Sequence, residues 1–410
     1  MIRTLQSVLS LRRLEFDPVA RRLSRAASVA DLRRIARRQL PRGVFDYVDG
    51  AAEDEVTLRR NRAAFRRLQF RPRVLRDVGS IDTSTTLLGK PLSYPLVLAP
   101  TGFTRMVDPQ GELAVARAAA RAGIPYTLST VATRSIEEVA AVSDGRKWFQ
   151  VYVWRDRALV KEMLDRAAAA GYEAIVITVD VPVLGRRERD VRTGFTLPPR
   201  IGLDTIIEGA LHLGWTLAFL RAEPIEFSNV FRREGVSSAS PVSLAEHVNS
   251  QFDPSVTWKD LDWFRANWNG PIIIKGIQTV EDAKLAAGVG VEGIVLSNHG
   301  GRQLDGAPPA PELVAPVADA IGGQVELMVD GGVRRGSDIA KAVALGARAV
   351  MAGRAYLYGL AAGGERGVDF VLRLLLEDLR RTMALIGATS IQELTPELVQ
   401  WRAAGEGRSS

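Results

Sequence analysis

The stretch GIVLSNHGGRQLDG, residues 293–306, runs from four strand-like residues straight into Ser297, Asn298, His299, two glycines, Arg302 and Asp305. Donors, acceptors and titratable groups packed this densely at a strand end can hold an anion and move a proton. His299 is one of only three histidines in 410 residues, and histidine is the side chain that ordinarily changes charge near neutral pH. Other apolar runs end in a similar way: Pro100-Thr101-Gly102, Ser129-Thr130, Gln150 with Tyr152, Thr178 with Asp180, Lys275, Asp330-Gly331-Gly332, and Gly353-Arg354. A single polar strand end is unremarkable. Eight converging on one face make a site.

The last two ends carry a more specific signal. DGGVRRGSDI and AGRAYLYG each place glycines and an arginine, Arg334 and Arg354, where a helix begins. Backbone N–H groups, the helix dipole and a guanidinium together form a cradle for phosphate. Such glycines also serve as tight connectors, but a phosphate-bearing cofactor is the stronger expectation.

The elements that must position these groups form a regular series. Apolar runs at Leu96–Ala99, Tyr126–Thr130, Trp148–Val153, Ala174–Val179, Ile272–Lys275, Gly293–Ser297, Glu326–Val329 and Ala349–Ala352 alternate with alanine-rich helical stretches. Continuously apolar strands imply burial on both faces and hence a parallel sheet. Eight such units predict an α/β fold, a closed (β/α)8 TIM barrel with chemistry at the C-terminal strand ends. A doubly wound open sheet is the alternative, but no G-x-G-x-x-G follows the first strand. The expected organisation is a helical N-terminal segment over 1–94, a barrel over 95–390 and a tail over 391–410. Residues 195–258, after the fourth strand, form an insertion far longer than a normal connection. Within it DTIIEGALHLGWTLAFLR is apolar but too short and broken to span a membrane; it either lies in a bilayer interface or covers the barrel mouth.

Composition narrows the classes further. With no cysteine in the chain, disulfides, thiolate nucleophiles and cysteine-held metal clusters are excluded. A reducing cytoplasm suits such a chain. The other histidines, His212 and His247, have no ligating company, so no metal site is expected. The net charge of +7 is concentrated at one end: residues 1–76 hold 19 Lys+Arg against 8 Asp+Glu. Such a segment attracts lipid or nucleic acid, or simply forms a solvated face. The first thirty residues lack the apolar core and cleavage site of a signal peptide.

SNHGGRQLDG, DGGVRRGSDI, LAPTGF, TVDVPVLGRRERD and FDYVDGAAEDE, in order from about residue 28 to about residue 395, resemble the FMN-dependent L-2-hydroxy-acid oxidase and dehydrogenase family. Its members include glycolate oxidase, respiratory L-lactate dehydrogenase and mandelate dehydrogenase. The resemblance implies FMN as cofactor and His299 as the base that takes a proton from the substrate's α-carbon or hydroxyl. Asp180 would orient and stabilise the imidazole. Arg302 and Arg187 would pair with the substrate carboxylate, and Tyr47 and Tyr152 would contact its carboxylate and hydroxyl. For the flavin it implies Pro100, Thr101, Gly102, Ser129, Gln150, Thr178, Lys275 and Ser297 about the ring. Asp330, Gly331, Gly332, Arg334, Gly353 and Arg354 would hold the ribityl chain and phosphate.

The chemistry is consistent with these assignments. Oxidising a 2-hydroxy acid requires a base near neutrality, a planar fork for the carboxylate and a cation where a reduced flavin gathers negative charge. Gly102 stands where many oxidases have alanine, and Val131 where glycolate oxidase has tryptophan. The latter leaves room for a substrate side chain larger than hydrogen. The insertion resembles that of the bacterial membrane-associated dehydrogenases. The expected reaction is oxidation of a lactate- or mandelate-like L-2-hydroxy acid to its 2-oxo acid, with electrons passing to a quinone or another carrier. The alternative is an oxidase producing hydrogen peroxide. A homotetramer is implied, cytoplasmic or peripheral on the inner face of the cell membrane. A nucleic-acid partner is not expected, because that reading leaves the eight polar strand ends unexplained.

Overall fold

The structure, a computed structural model, describes residues 15–194, 202–225, 227–230 and 250–402. Eight strands close into a parallel barrel: β1 (Leu96–Leu98), β2 (Tyr126–Ser129), β3 (Lys147–Tyr152), β4 (Ala174–Thr178), β5 (Ile272–Ile277), β6 (Gly293–Leu296), β7 (Glu326–Val329) and β8 (Ala349–Ala352). Closure comes where β8 pairs with β1, Val350 opposite Leu96. Runs such as Ala-Ile-Val-Ile-Thr in β4 are buried along their whole length. Burial on both faces explains why they lack polar alternation. The barrel is the one expected from sequence, with strand ends shifted by a residue or two.

Helices α1 (Pro18–Leu23), α2 (Val29–Gln39), α3 (Arg42–Asp49) and α4 (Val56–Arg67) precede the barrel. Ser28 caps α2 by accepting the Asp31 N–H at 3.2 Å. The α4 N-terminus is capped from far away: both Asp305 carboxylate oxygens accept its first N–H groups, from Val56 at 3.0 Å and Thr57 at 2.7 Å. Asp305 of the opening stretch is thus a fastener between segments.

The connecting helices are α5 (Glu112–Arg121), α6 (Ile136–Ala141), α7 (Arg157–Ala169), α8 (Glu188–Arg192), α9 (Leu203–Leu211), α10 (Leu213–Arg221), α11 (Asp260–Asn267), α12 (Val280–Gly288), α13 (Ala310–Ile321), α14 (Gly336–Ala344) and α15 (Arg354–Ile386). The last is interrupted by non-helical geometry at Gly363 and Gly364 and packs against α2. The chain ends its described part with Val399–Trp401 paired antiparallel to Leu68–Phe70.

The insertion forms α9 and α10, and its base is tied to the mouth of the barrel. Trp215 Nε1 donates to the Met106 carbonyl at 2.8 Å, and buried Arg105 donates to the Pro224 carbonyl at 3.1 Å and to that of Glu223. Phe227 meets Phe103 edge-on at 4.7 Å. The opposite side is apolar and exposed: Ile206, Leu211, Leu213 and Leu220 are each at least 60% accessible. The described part of the insertion is therefore tied beside the mouth on one side and leaves an apolar surface on the other. His212 bonds the Glu208 carbonyl through Nδ1 at 2.8 Å, a local helix contact; His247 lies outside the described residues. Among the described residues no helix is long and apolar enough to cross a membrane.

Candidate active site

A cavity of about 550 Å³ opens at the C-terminal end of the barrel, where side chains from strand ends, the N-terminal segment and the insertion meet. At its centre His299 Nδ1 stands 2.9 Å from Asp180 Oδ1. The imidazole is partly exposed to the cavity, whereas the Asp180 side chain is buried. Burial pushes the Asp180 carboxyl up, but the facing His299 ring and Lys275 outweigh it and hold the group below the usual carboxylate range. Such a pair fixes which ring nitrogen faces the cavity and stabilises the charged imidazole.

The local chain builds this geometry with unusual backbone. His299 adopts a left-handed conformation, φ 57°, outside the range most side chains favour. Ser297 Oγ accepts the His299 N–H at 3.0 Å and Asn298 Oδ1 accepts the Gly301 N–H at 3.1 Å, which hold the turn. Asn298 is locked in turn by reciprocal amide hydrogen bonds with Asn61 of α4, both 2.8 Å. On the neighbouring strand Gly276 has φ 119°, and a Cβ there would lie 2.8 Å from Asp180 Cβ. Only glycine lets Asp180 stand where it does.

Lys275 is buried, with Nζ 2.8 Å from Asp330 Oδ2 and 2.8 Å from Ser297 Oγ. Burial alone would depress it; Asp330 and Asp180 hold it above the ordinary lysine range, so it remains a cation in a dry wall. Ser297, expected among the cofactor-binding residues, does not line the cavity. It stands behind the wall, its hydroxyl accepting hydrogen bonds from Lys275 and from the His299 N–H. It positions two functional groups.

Two arginines line the cavity with the histidine. Arg302 donates to the carbonyls of Tyr47 at 2.7 Å and Gly50 at 3.1 Å, and its guanidinium lies 5.0 Å from the Tyr47 ring centre. Arg187 lies 5.9 Å from the same ring. Burial, reinforced by the neighbouring Arg187, pushes Arg302 down to about 9, so it stays cationic at neutral pH with its charge in excess. Tyr152 and Tyr47 line the same space. The N-terminal segment is thus folded over the mouth, as a role for Tyr47 requires.

The cavity is also lined by Pro100, Thr101, Gly102, Ser129, Gln150, Thr178, Asp330, Gly331, Gly332, Arg334, Gly353 and Arg354, so among the expected residues Ser297 and Asp180 are absent from its wall, Asp180 standing behind His299. Arg354 spends its guanidinium on three carbonyls, those of Val48 at 2.9 Å, Gly50 at 2.6 Å and Gly300 at 2.9 Å. It ties the N-terminal segment to the histidine turn.

Several contributors escaped the sequence reading: Asn61, Asp190, Phe227, Phe252 and Gln303. Gln303 Nε2 donates to the Asp180 carbonyl at 3.2 Å, and Asp190, Phe227 and Phe252 line the cavity. Asp190 and Gln303 sit inside motifs already conspicuous for their arginines, which is the one signal that marked them. The other three come from remote segments and carried none.

A family model described as FMN-dependent dehydrogenase matches residues 36–401. The chain belongs to this family. A Mycobacterium tuberculosis protein named "Putative L-lactate dehydrogenase" is 48% identical over 97% of this chain and 95% of its own. Glycolate oxidase 1 of Zea mays is 45% identical over 90% of this chain and 94% of its own. Among solved structures, the monotopic membrane protein (S)-mandelate dehydrogenase is 42% identical with a TM-score of 0.88, covering 92% of this chain and all of that one. The protein is accordingly an FMN-dependent oxidoreductase of L-2-hydroxy acids. The residues present fit the cofactor. Gln150 Nε2, Thr178 Oγ1 and Asp330 Oδ1 are buried polar atoms without a protein partner, all on residues of the cavity wall. Buried polar groups are almost always paired, and a ring with several acceptors and donors, carrying a ribityl chain, would satisfy them.

Proposed function

We propose that this enzyme oxidises a lactate- or mandelate-like L-2-hydroxy acid to the 2-oxo acid and passes the electrons to a quinone or similar carrier. The observation that carries the reading is the 2.9 Å His299–Asp180 pair, opening on a cavity that Arg302 and Arg187 also line.

Each residue has a distinct task. Arg302 and Arg187 bind the substrate carboxylate, which supplies the negative charge their surroundings lack. Tyr47 and Tyr152 receive its carboxylate and hydroxyl edges. That leaves the α-carbon unit facing His299, which takes the proton; Asp180 stabilises the resulting imidazolium and keeps the ring oriented. Ser129, Gln150 and Thr178 with the Pro100–Gly102 backbone would hold the isoalloxazine, while Asp330, Arg334 and the glycines that follow β7 and β8 would hold ribityl and phosphate. Bound there, FMN supplies a two-electron acceptor, and Lys275 provides fixed positive charge in the same wall.

The substrate side chain would meet Val131, Phe227 and Phe252, residues that favour an apolar group. The exposed apolar side of α9 and α10 is read as a peripheral membrane contact, next to which a quinone would be available; assembly as a homotetramer is proposed by analogy with the family.

The deciding experiment is anaerobic stopped-flow reduction of the holoenzyme by L-lactate, (S)-mandelate and glycolate, followed by admission of oxygen. Rapid bleaching with slow recovery in air supports a dehydrogenase. Fast recovery with peroxide would make it an oxidase, and no bleaching by any of these acids would refute the substrate class.

A further inference from the structure

Asp190 is a carboxylate inside the cavity that the reaction above does not use. It lies on α8, three residues beyond Arg187, with Oδ2 3.8 Å from an Arg187 terminal nitrogen. Its side chain is 15% exposed and that of Arg187 21%. Burial pushes its carboxyl above the usual carboxylate range, with Asp46 of α3 acting in the same direction, against the pull of Arg302 from the end of β6 and of Arg187 and Arg189 beside it in sequence. Arg189 is engaged elsewhere, with Asp49 at 3.0 Å and with Glu55.

A charge count follows from these neighbours. Lys275 pairs with Asp330 and His299 with Asp180; Arg334 and Arg354 stand at the end expected to hold the cofactor phosphate, and Arg186 is exposed. At the substrate end Arg187, Arg302 and Asp190 remain, two cations and one carboxyl group, so an ionised Asp190 leaves one positive charge uncompensated. A single carboxylate brings the cluster to neutrality. In a dry cavity a second negative charge would go unmatched, and charges at such separations interact strongly when water is excluded.

We infer that Asp190 sets the charge selectivity of the site: it cancels one of the two arginines so that the cavity accepts monocarboxylates and disfavours dianions. The inference rests on the hydroxy-acid reading of the cavity and deepens it to the substrate's charge. The loose 3.8 Å separation suits the task, because Arg187 stays free to turn toward the ligand. A purely structural ion pair would be closer and would affect all ligands alike.

The test uses two ligands of nearly the same shape, pyruvate with one negative charge and oxalate with two. Binding is followed through the visible absorbance of the bound flavin in wild-type holoenzyme, Asp190→Asn and Asp190→Glu. The expected result is that Asp190→Asn raises the affinity ratio of oxalate to pyruvate roughly tenfold, while Asp190→Glu restores the wild-type ratio. Equal changes for both ligands, or none, would overturn the inference while leaving the hydroxy-acid reading intact. Failure of the wild type to bind either ligand would overturn both. If Asp190→Asn does not fold, Asp190→Ser takes its place under the same criteria: a raised oxalate-to-pyruvate ratio supports the charge role, and an unchanged one refutes it.

Discussion

His299 is held in place by more than its role as a base demands, and this makes its contribution separable from the fold. Its left-handed backbone is fixed by Ser297 and Asn298 through main-chain N–H groups, not by the ring. His299→Gln should therefore retain yellow FMN while the rate of flavin reduction falls by roughly 10²–10⁴-fold, the usual worth of a positioned base. Stopped-flow reduction measures it, and full-rate reduction would remove the base assignment. The clamp is separable in the same way. Arg302→Met should weaken carboxylate binding and raise KM with little change in flavin content, although the carbonyls of Tyr47 and Gly50 lose a donor. A KM equal to wild type would count against it. What was legible at this scale follows a rule: residues at the ends of their own strands, such as His299, Arg302, Lys275 and Asp330, could be read from the local pattern. Asn61 and Phe227 could not, since each reaches the site across many tens or hundreds of residues. Ser297 was legible as important but not in its task, because a hydroxyl at a strand end can face either into the cavity or behind it.

Between elements, the mouth is closed by charge. Asp49, the last residue of α3, is buried and joined to Arg33 through 2.5 and 2.6 Å contacts, to Arg189 of α8 at 3.0 Å and to the Tyr358 hydroxyl of α15 at 2.7 Å. Burial opposes its ionisation, but Arg33, Tyr358 and Arg189 together hold it far below the usual carboxylate range. A carboxylate whose folded pKa is depressed contributes stability that is present above its unfolded value, near 4, and is lost as pH falls further. Asp49→Asn should then cost about 3 kcal/mol at neutral pH, and its Tm deficit relative to wild type should shrink as pH drops below about 4. A deficit independent of pH would show that packing, not charge, holds α3 to the mouth. The arginine-rich composition of residues 1–76 thus has a partly structural explanation: Arg33 is spent on this junction. The alternation of strand and helix made the barrel plain from sequence, whereas the α3–α8–α15 junction depends on pairings no periodicity reveals.

At the scale of the whole molecule, the insertion joins two surfaces with opposite preferences. Its base is anchored to the β1 loop by Trp215 and Arg105, and Phe227 at that base lines the cavity. Its far side exposes Ile206 (60%), Leu211 (73%) and Leu220 (72%) to the surroundings. Removing the whole segment would confound the two, because it would unroof the cavity as well as remove the apolar face. Substituting only the outer residues, Ile206→Ser, Leu211→Ser and Leu220→Ser together, leaves Trp215, Arg105 and Phe227 untouched. If α9 and α10 dock on a bilayer, the wild-type holoenzyme should co-sediment with vesicles containing anionic phospholipid, and the triple variant should remain in the supernatant. Burying each large apolar side chain is worth roughly 1.5–3 kcal/mol, so losing three should lower partitioning by at least a hundredfold. Flavin reduction by the best hydroxy acid should be unchanged in the variant, since the cavity is intact, while electron delivery to a membrane-embedded quinone should fall in parallel with vesicle binding. A wild-type enzyme that stays wholly in the supernatant would remove the membrane from the scheme and leave a carrier in solution as the acceptor.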